Sequence, residues 1–254
     1  EEWSLHELIR DPRFRIKYSS RDYTTLLNEA MIHGFAEEAA SLVDISDLCH
    51  LSNVTIPRTP SKEYLFAGYD VSVGECTLTN ITPLQVAIIC HHPAALNMAL
   101  AARSVIDNIT IAEDDNSNQM TALYLATVTQ NEEMVMLLAL LGADANLSSG
   151  CCYNIPIDDK ATGNHSPLTV AAALSNIRIM KVLLAAKANK NHRNQVSTAL
   201  YYTAIDDHET AAIKLLIPDV EDINPKFIET DDLSEEFLAD EVFLSLFESQ
   251  DQKI

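Results

Sequence analysis

Glycine is scarce in this chain, with 6 glycines among 254 residues, and none of them builds a phosphate-binding loop. The motifs His-Glu-x-x-His, Cys-x-x-Cys and Gly-x-Ser-x-Gly, which carry zinc, redox and serine-hydrolase chemistry, do not occur either. The 5 cysteines form no disulfide framework, and Cys151 and Cys152 are adjacent, which favours free thiols in a reducing compartment. We therefore expect a non-enzymatic, cytoplasmic protein that needs neither a cofactor nor a metal.

Basic residues are also few. The chain has 17 lysines and arginines and 37 aspartates and glutamates, so its net charge is −20. Such a charge repels nucleic-acid phosphates and anionic membranes. The longest strongly apolar run, residues 134–141, is too short to cross a bilayer, and no secretory signal peptide is visible. The sequence thus predicts a protein that binds no nucleic acid and enters no membrane, and we expect a monomer.

Residues 121–146 have the pattern of two helices joined by a turn. Thr121 can cap a helix with an apolar face, and a polar break follows at residues 130–132. A second helix ends at Gly142, the residue type that closes helices in the left-handed conformation. A single unit of this kind cannot bury its own apolar face, so neighbouring units are expected.

Similar units recur along the chain. Thr-Pro-Leu at 82–84 and Ser-Pro-Leu at 166–168 place proline at the first helical position, and Thr25 and Thr198 begin two weaker copies. With Gly-Ala-Asp at 142–144, these motifs resemble ankyrin repeats. The resemblance implies an all-α repeat fold, an ankyrin-repeat solenoid of about five helix-turn-helix units. Loop insertions, one of them a β-hairpin, and helical caps complete the expected architecture.

The resemblance also implies a domain organisation. One continuous array is expected between an N-terminal cap, residues 1–22, and an acidic C-terminal helical segment, residues 225–254. The motifs are unevenly spaced against the family period of about 33 residues, which indicates insertions. The array covers residues 23–224, with units at about 23–52, 80–117, 118–147, 164–194 and 195–224 and insertions at about 53–79 and 148–163.

The first insertion has the pattern of a β-hairpin, since two β-prone runs, 62–66 and 69–73, flank Gly68. In repeat proteins such insertions often lie on the binding face. The alternative is a surface loop without a binding role, which the fold tolerates because long loops cost little entropy. The C-terminal segment has two readings as well. It is either a helix that caps the C-terminal end of the array, or a docking segment or transport signal, since its acidic, weakly hydrophobic composition resembles the export signals of bacterial effectors. A separate alternative is that the groove of the array is filled by the chain's own insertion or by this C-terminal helix.

A Cys–His site is the enzyme alternative. Cys151 or Cys152, in the second insertion, would form a thiolate nucleophile beside His165. The run Cys-His-His at 90–92 falls in the turn between two helices, where a structural role is favoured over metal binding.

Ankyrin proteins usually bind a protein on their concave face, which is built from the turn before each first helix and from that helix's last turn. Carried over, the resemblance implies an apolar groove, and the acidic charge predicts a partner with a basic rim. The implied partner-binding residues are Ile81, Ile89, Met120, Tyr124, Val128, Thr129, His165, Leu174, Tyr201 and Ile205. The expected function is protein–protein interaction, by a bacterial effector inside a host cell (cytoplasm or nucleus) or by a eukaryotic intracellular adaptor.

Overall fold

The computed structural model describes residues 18–57, 75–112, 115–147, 165–192, 198–205 and 210–216. These residues form helix pairs interleaved with β-strands. The pairs are α1 (Ser20–Ile32) with α2 (Ala36–Leu42), α3 (Pro83–Ile89) with α4 (Ala95–Ala101), α5 (Ala122–Val128) with α6 (Glu132–Leu141), α7 (Pro167–Ala173) with α8 (Ile177–Ala185), and α9 (Ala199–Ile205) with α10 (Thr210–Leu216). Short 3₁₀ helices, Val43–Ile45 and Arg103–Val105, follow α2 and α4.

Local hydrogen bonds explain where the first helix of each pair begins. The side chains of Thr82, Thr121 and Ser166 each accept a hydrogen bond from the backbone N–H three residues later, which satisfies a donor that the helix leaves unpaired. Helix α1 begins at Ser20 behind a capping box made by Ser19 and Asp22, so it starts inside the segment expected to form an N-terminal cap.

The helices stack in two layers. The first helices pack against one another in the order α1, α3, α5, α7, α9, and they form an inner layer. In the outer layer α4 packs on α6, α6 on α8, and α8 on α10. The apolar side chains between the layers are buried and form one contiguous cluster. Each pair therefore depends on its neighbours for the burial of its apolar surface.

A four-stranded antiparallel sheet joins the first three helix pairs. Strands β1 (Ser52–Pro57), β2 (Glu75–Ile81), β3 (Thr110–Ala112) and β4 (Asp115–Met120) lie in that order. The expectation of an all-α ankyrin-repeat solenoid is therefore wrong, and the fold is mixed. The physical reason is that extended segments between helix pairs satisfy their backbone N–H and C=O groups by pairing with one another.

The strands alternate between buried and exposed residues. In β1 Val54 and Ile56 point into the core, and in β2 Cys76 and Leu78 do the same, with Ile56 opposite Cys76. The sheet thus lays one apolar face on the helices and adds to the same core.

Several expectations fall on residues outside the described part of the chain. They are the β-hairpin at 62–73, the second insertion with Cys151 and Cys152, and the C-terminal segment 225–254. The ends of the first insertion are described, and they are the paired strands β1 and β2.

Non-glycine residues occupy the left-handed conformation at several turns. Between the two helices of successive pairs, Gly34 (φ 78°) is matched by His91, Gln130 and Ser175, with φ of 52–54°. These three residues lie where ankyrin-like motifs would carry glycine. The turns therefore share one backbone conformation, although only the first of them has a glycine. At His91, Gln130 and Ser175 this conformation is strained because a Cβ atom is present.

The closing turns of α6 and α8 supply a matched test of that strain. Gly142 has φ 92°, Lys187 has φ 64°, and a Cβ added at Gly142 would meet no atom within 4 Å. We expect Gly142→Ala to destabilise the protein by about 1–2 kcal/mol through backbone strain alone. Lys187→Gly should stabilise it by about 0.5–1 kcal/mol. Urea unfolding of both variants measures the two changes in unfolding free energy. Changes of the same sign would contradict the interpretation.

Candidate functional site

Five of the expected partner-binding side chains are buried in the structure and not on its surface. Ile81 and Met120 end strands β2 and β4, Ile89 ends α3, and Tyr124 lies in α5, between α3 and α7. The ring of His165 contacts that of Tyr202 in a tilted arrangement, with 5.8 Å between the ring centroids and 52° between the ring planes. The stacking of the inner helices and the pairing of the strands cover positions that the sequence pattern placed on an open face.

Three of the expected residues stay partly accessible: Val128, Thr129 and Leu174. Thr129 and Leu174 are the C-terminal caps of α5 and α7, and Cys90, also partly accessible, caps α3. Because these three inner helices pack side by side, the four residues lie at the same end of neighbouring helices. We call Cys90, Val128, Thr129 and Leu174 the inner strip.

The inner strip belongs to helices that contain no charge. Residues 82–90, 121–129 and 166–174 include no Asp, Glu, Lys or Arg, in a chain whose net charge is −20. A helix that faces water normally carries charged residues on that face. The accessible ends of these helices are thus apolar or weakly polar. The remaining two expected residues, Tyr201 and Ile205, belong to α9, and their side chains lie outside the described part of the structure.

A buried polar network lies at the other end of α3, and the sequence did not reveal it. The Oε1 atom of Gln85 accepts hydrogen bonds from the Thr82 N–H (2.9 Å) and the Thr110 hydroxyl (2.8 Å). Its Nε2 atom donates to the backbone oxygens of Asn108 (3.0 Å) and Met120 (3.1 Å). Gln85 thus connects the start of α3 to strands β3 and β4, which fixes the sheet against the helices.

The position of Gln85 in the repeat motif is the signal that would have located this network. Gln85 occupies the place of the His in the Thr-Pro-Leu-His motif, and Asn28 is its counterpart in α1. Asn28 donates from Nδ2 to the Ser52 hydroxyl at 3.0 Å, so it also reaches the strand that follows its helix pair. In α1 and α3 a polar side chain at this position therefore joins the helix to the neighbouring extended segment.

Metal and thiol chemistry find no support in the described residues. No group of three or more His, Cys, Asp and Glu side chains there is placed to hold a metal ion. No disulfide is assigned to Cys49, Cys76 or Cys90 in the described part of the chain, and Cys76 is buried in the sheet. Cys151 and Cys152 lie outside the described residues, so the Cys–His alternative stays a hypothesis, with its histidine, His165, buried beside Tyr202. Within the described ranges, no helix has the length and apolar character needed to cross a membrane.

His92 is buried in the turn between α3 and α4. Its Nδ1 atom accepts a hydrogen bond from the Ala94 N–H at 3.2 Å. Removal from water disfavours the charged imidazole and lowers the pKa of His92 below its usual value of 6.5, and an interaction with the Ala36 backbone opposes this shift more weakly. The neutral ring is therefore the form that fits the fold.

This histidine predicts a pH dependence of stability. The unfolded chain binds the proton more tightly than the folded one, so protonation favours unfolding. The free energy of unfolding should be at its full value above about pH 6.5 and should fall as the pH is lowered below that value. His92→Gln keeps an acceptor for Ala94 and cannot ionise, so the difference between variant and wild type should change between about pH 7 and 5. A constant difference over that range, in urea titrations, would contradict the prediction.

Known proteins give no direct guide to function. No family model matches the chain, and no curated protein matches it. The chemistry of the residues themselves therefore carries the functional argument.

Proposed function

We propose that this protein is a non-catalytic protein-interaction module that binds a protein partner along the inner strip. The observation that carries the proposal is the alignment of three uncharged helix ends, α3, α5 and α7, with partly accessible Cys90, Val128, Thr129 and Leu174. Accessible apolar surface that runs across neighbouring elements is typical of protein-binding sites. The ankyrin-like motifs favour the same class of function, and we also propose that the protein is related to ankyrin-repeat proteins.

The acidic charge of the chain supports a partner with basic residues at its rim. Residues 18–57 contain one basic residue, Arg21, against six carboxylates, and the whole chain carries −20. Charges at the rim of an interface raise the association rate more than they raise the affinity. Binding should therefore slow as the ionic strength rises.

The cellular setting that we propose is intracellular. The adjacent thiols and the odd number of cysteines fit a reducing compartment. A bacterial effector that acts in the cytoplasm or nucleus of a host cell is one form of this proposal, and a eukaryotic adaptor is the other. Both use the same binding surface.

Aspartate substitutions in the inner strip test the proposal. Val128→Asp and Leu174→Asp each place a carboxylate where a partner would bury it, which is costly without a counter-charge. We expect each to reduce the capture of the partner from cell lysate roughly tenfold or more, measured by quantitative mass spectrometry. Because both side chains are only partly buried, the expected loss of stability is about 1 kcal/mol.

Leu51→Asp is the matched control, because Leu51 is an exposed leucine just before β1 and far in sequence from the strip. It should leave capture unchanged. Normal capture by both inner-strip variants would contradict the proposal. Loss of most of the stability by either variant would show that its side chain belongs to the core, and would contradict the inner strip as an open site.

A further inference from the structure

Large apolar side chains are exposed on the outer layer, on second helices of the pairs, whereas the inner strip belongs to the first helices. Leu140 is 77% exposed and Leu100 is 58% exposed, and both are aliphatic residues without a polar group. Met136 (51%) and Leu96 (39%) accompany them. We call Leu96, Leu100, Met136 and Leu140 the outer patch.

Helix geometry puts these four residues together. Leu96 and Leu100 are four residues apart in α4, and Met136 and Leu140 are four residues apart in α6, so each pair lies on one face of its helix. Helices α4 and α6 pack side by side in the outer layer. Two neighbouring rows of apolar side chains therefore face the same side.

The middle of this surface lacks charge, while its two flanks carry opposite charges. Residues 93–102 and 134–143 contain no Asp, Glu, Lys or Arg. On the side of the first helix pair, α2, which packs on α1, begins with Glu37 and Glu38, and on the other side α8, which packs on α6, presents Arg178 and Lys181. Glu132, at the start of α6, forms an ion pair of 3.3 Å with Arg178 on the basic flank.

This order of charges excludes several occupants. A second copy of the chain would bring a further charge of −20 to an already acidic protein. The C-terminal segment 225–254 has nine carboxylates and two lysines, so it matches the basic flank and is repelled by Glu37 and Glu38. An anionic lipid surface meets the same repulsion. The occupant has to carry apolar residues in its middle, cations at one end and carboxylates at the other.

We propose that the outer patch docks an amphipathic helix of a partner protein. Its apolar stripe covers Leu100 and Leu140, its lysines or arginines lie over the α2 flank, and its carboxylates lie over Arg178 and Lys181. A helix laid across α8, α6 and α4 and extended to the side of the first pair covers three steps between neighbouring helices. At about 8–10 Å for each step this is about 30 Å, or roughly 20 residues at 1.5 Å each. This surface is separate from the inner strip, and either one can fail without the other.

A selection of helical peptides tests the proposal. The full chain is used to select from a phage library of helical peptides of about 20 residues, with every solvent-facing position randomised. The enriched peptides should carry apolar residues at positions i, i+3, i+4 and i+7, with cations towards one end and carboxylates towards the other. Leu100→Asp and Leu140→Asp should each weaken binding of the enriched peptide roughly tenfold or more, measured by fluorescence anisotropy. Leu26→Asp, an exposed leucine on α1, is the matched control and should change nothing.

Charge reversal supplies a second variant that does not touch the apolar patch. Arg178→Glu with Lys181→Glu should weaken the same peptide, and a peptide whose carboxylates are replaced by lysines should restore binding to that variant. Circular dichroism establishes that the variants are folded. Failure to enrich any common pattern, or enriched peptides that bind the Leu100→Asp and Leu140→Asp variants as tightly as wild type, would overturn the proposal.

Two further results would assign the patch to another occupant and so overturn the proposal. The first is a dimer in sedimentation equilibrium that Leu140→Asp dissociates. The second is co-sedimentation with phosphatidylcholine vesicles that the same substitution abolishes.

Discussion

Tyr124→Ala is expected to destabilise the protein by about 3–5 kcal/mol, the cost of removing a buried aromatic ring and leaving a cavity. Tyr124 is 1% exposed and is among the largest fully buried side chains of the described residues. It lies in the first turn of α5, and this helix packs against α3 on one side and α7 on the other. Denaturant unfolding monitored by circular dichroism measures the change.

The same experiment separates the two roles that have been considered for Tyr124. A partner-binding tyrosine would lose binding on truncation and keep its stability, whereas a core tyrosine loses stability first. Leu140→Ala is the matched control, because it removes a large side chain that is 77% exposed, and it should cost no more than about 0.5 kcal/mol. Equal stability losses for the two variants would contradict the assignment of Tyr124 to the core.

Gln85→Met is expected to cost about 2–4 kcal/mol, although methionine has nearly the same shape. The substitution leaves the backbone oxygens of Asn108 and Met120 without the donor that Gln85 supplies. It also removes the nearer acceptor for the buried Thr110 hydroxyl, which lies 2.8 Å from Oε1 and 3.4 Å from the backbone oxygen of Asn80. Buried polar groups that lose their partners pay the full cost of their removal from water. The loss should appear in the unfolding free energy and as faster amide exchange in β3 and β4.

Thr169→Val is the matched control for Gln85. Thr169 occupies the equivalent position in α7 and is also buried, but its hydroxyl donates only to Ser166 within its own turn, at 2.8 Å. Its removal should cost about 1 kcal/mol or less and should leave the sheet unaffected. If both substitutions cost the same, the network around Gln85 does not join the sheet to the helices.

The helix starts could be predicted from the sequence because the forces that set them act over three or four residues. Pro83 and Pro167 have the fixed backbone angle of a first helical residue, and Thr121 caps a helix through a bond to the N–H of Tyr124. Gly142 closes α6 in the left-handed conformation as expected. Each of these features depends on a residue and its near neighbours in the chain.

The sheet could not be predicted because its strands carry little local pattern. Strand β3 has three residues, Thr110–Ala112, and pairs with Leu78 and Thr79, more than 30 positions earlier. Its stability comes from hydrogen bonds and burial shared with segments that are distant in sequence. The sequence therefore indicated the helices and a hairpin in the first insertion, but it did not indicate the four-stranded sheet that makes the fold mixed.

The exposed or buried state of each apolar side chain was likewise decided by the tertiary structure. Residues 137–141 read Leu-Leu-Ala-Leu-Leu, and within this run Leu138 is fully buried while Leu140 is largely exposed. Helical periodicity shows that the two residues point in different directions, but a run that is apolar all round does not show which direction has a neighbour. The sequence by itself determined where the chain turns into helices, since capping and turn chemistry are local. Only the stacking of α3, α5 and α7 determined that Tyr124 is core, and only the stacking of α4, α6 and α8 determined that Leu140 faces outward, since burial depends on what the rest of the chain places against a residue.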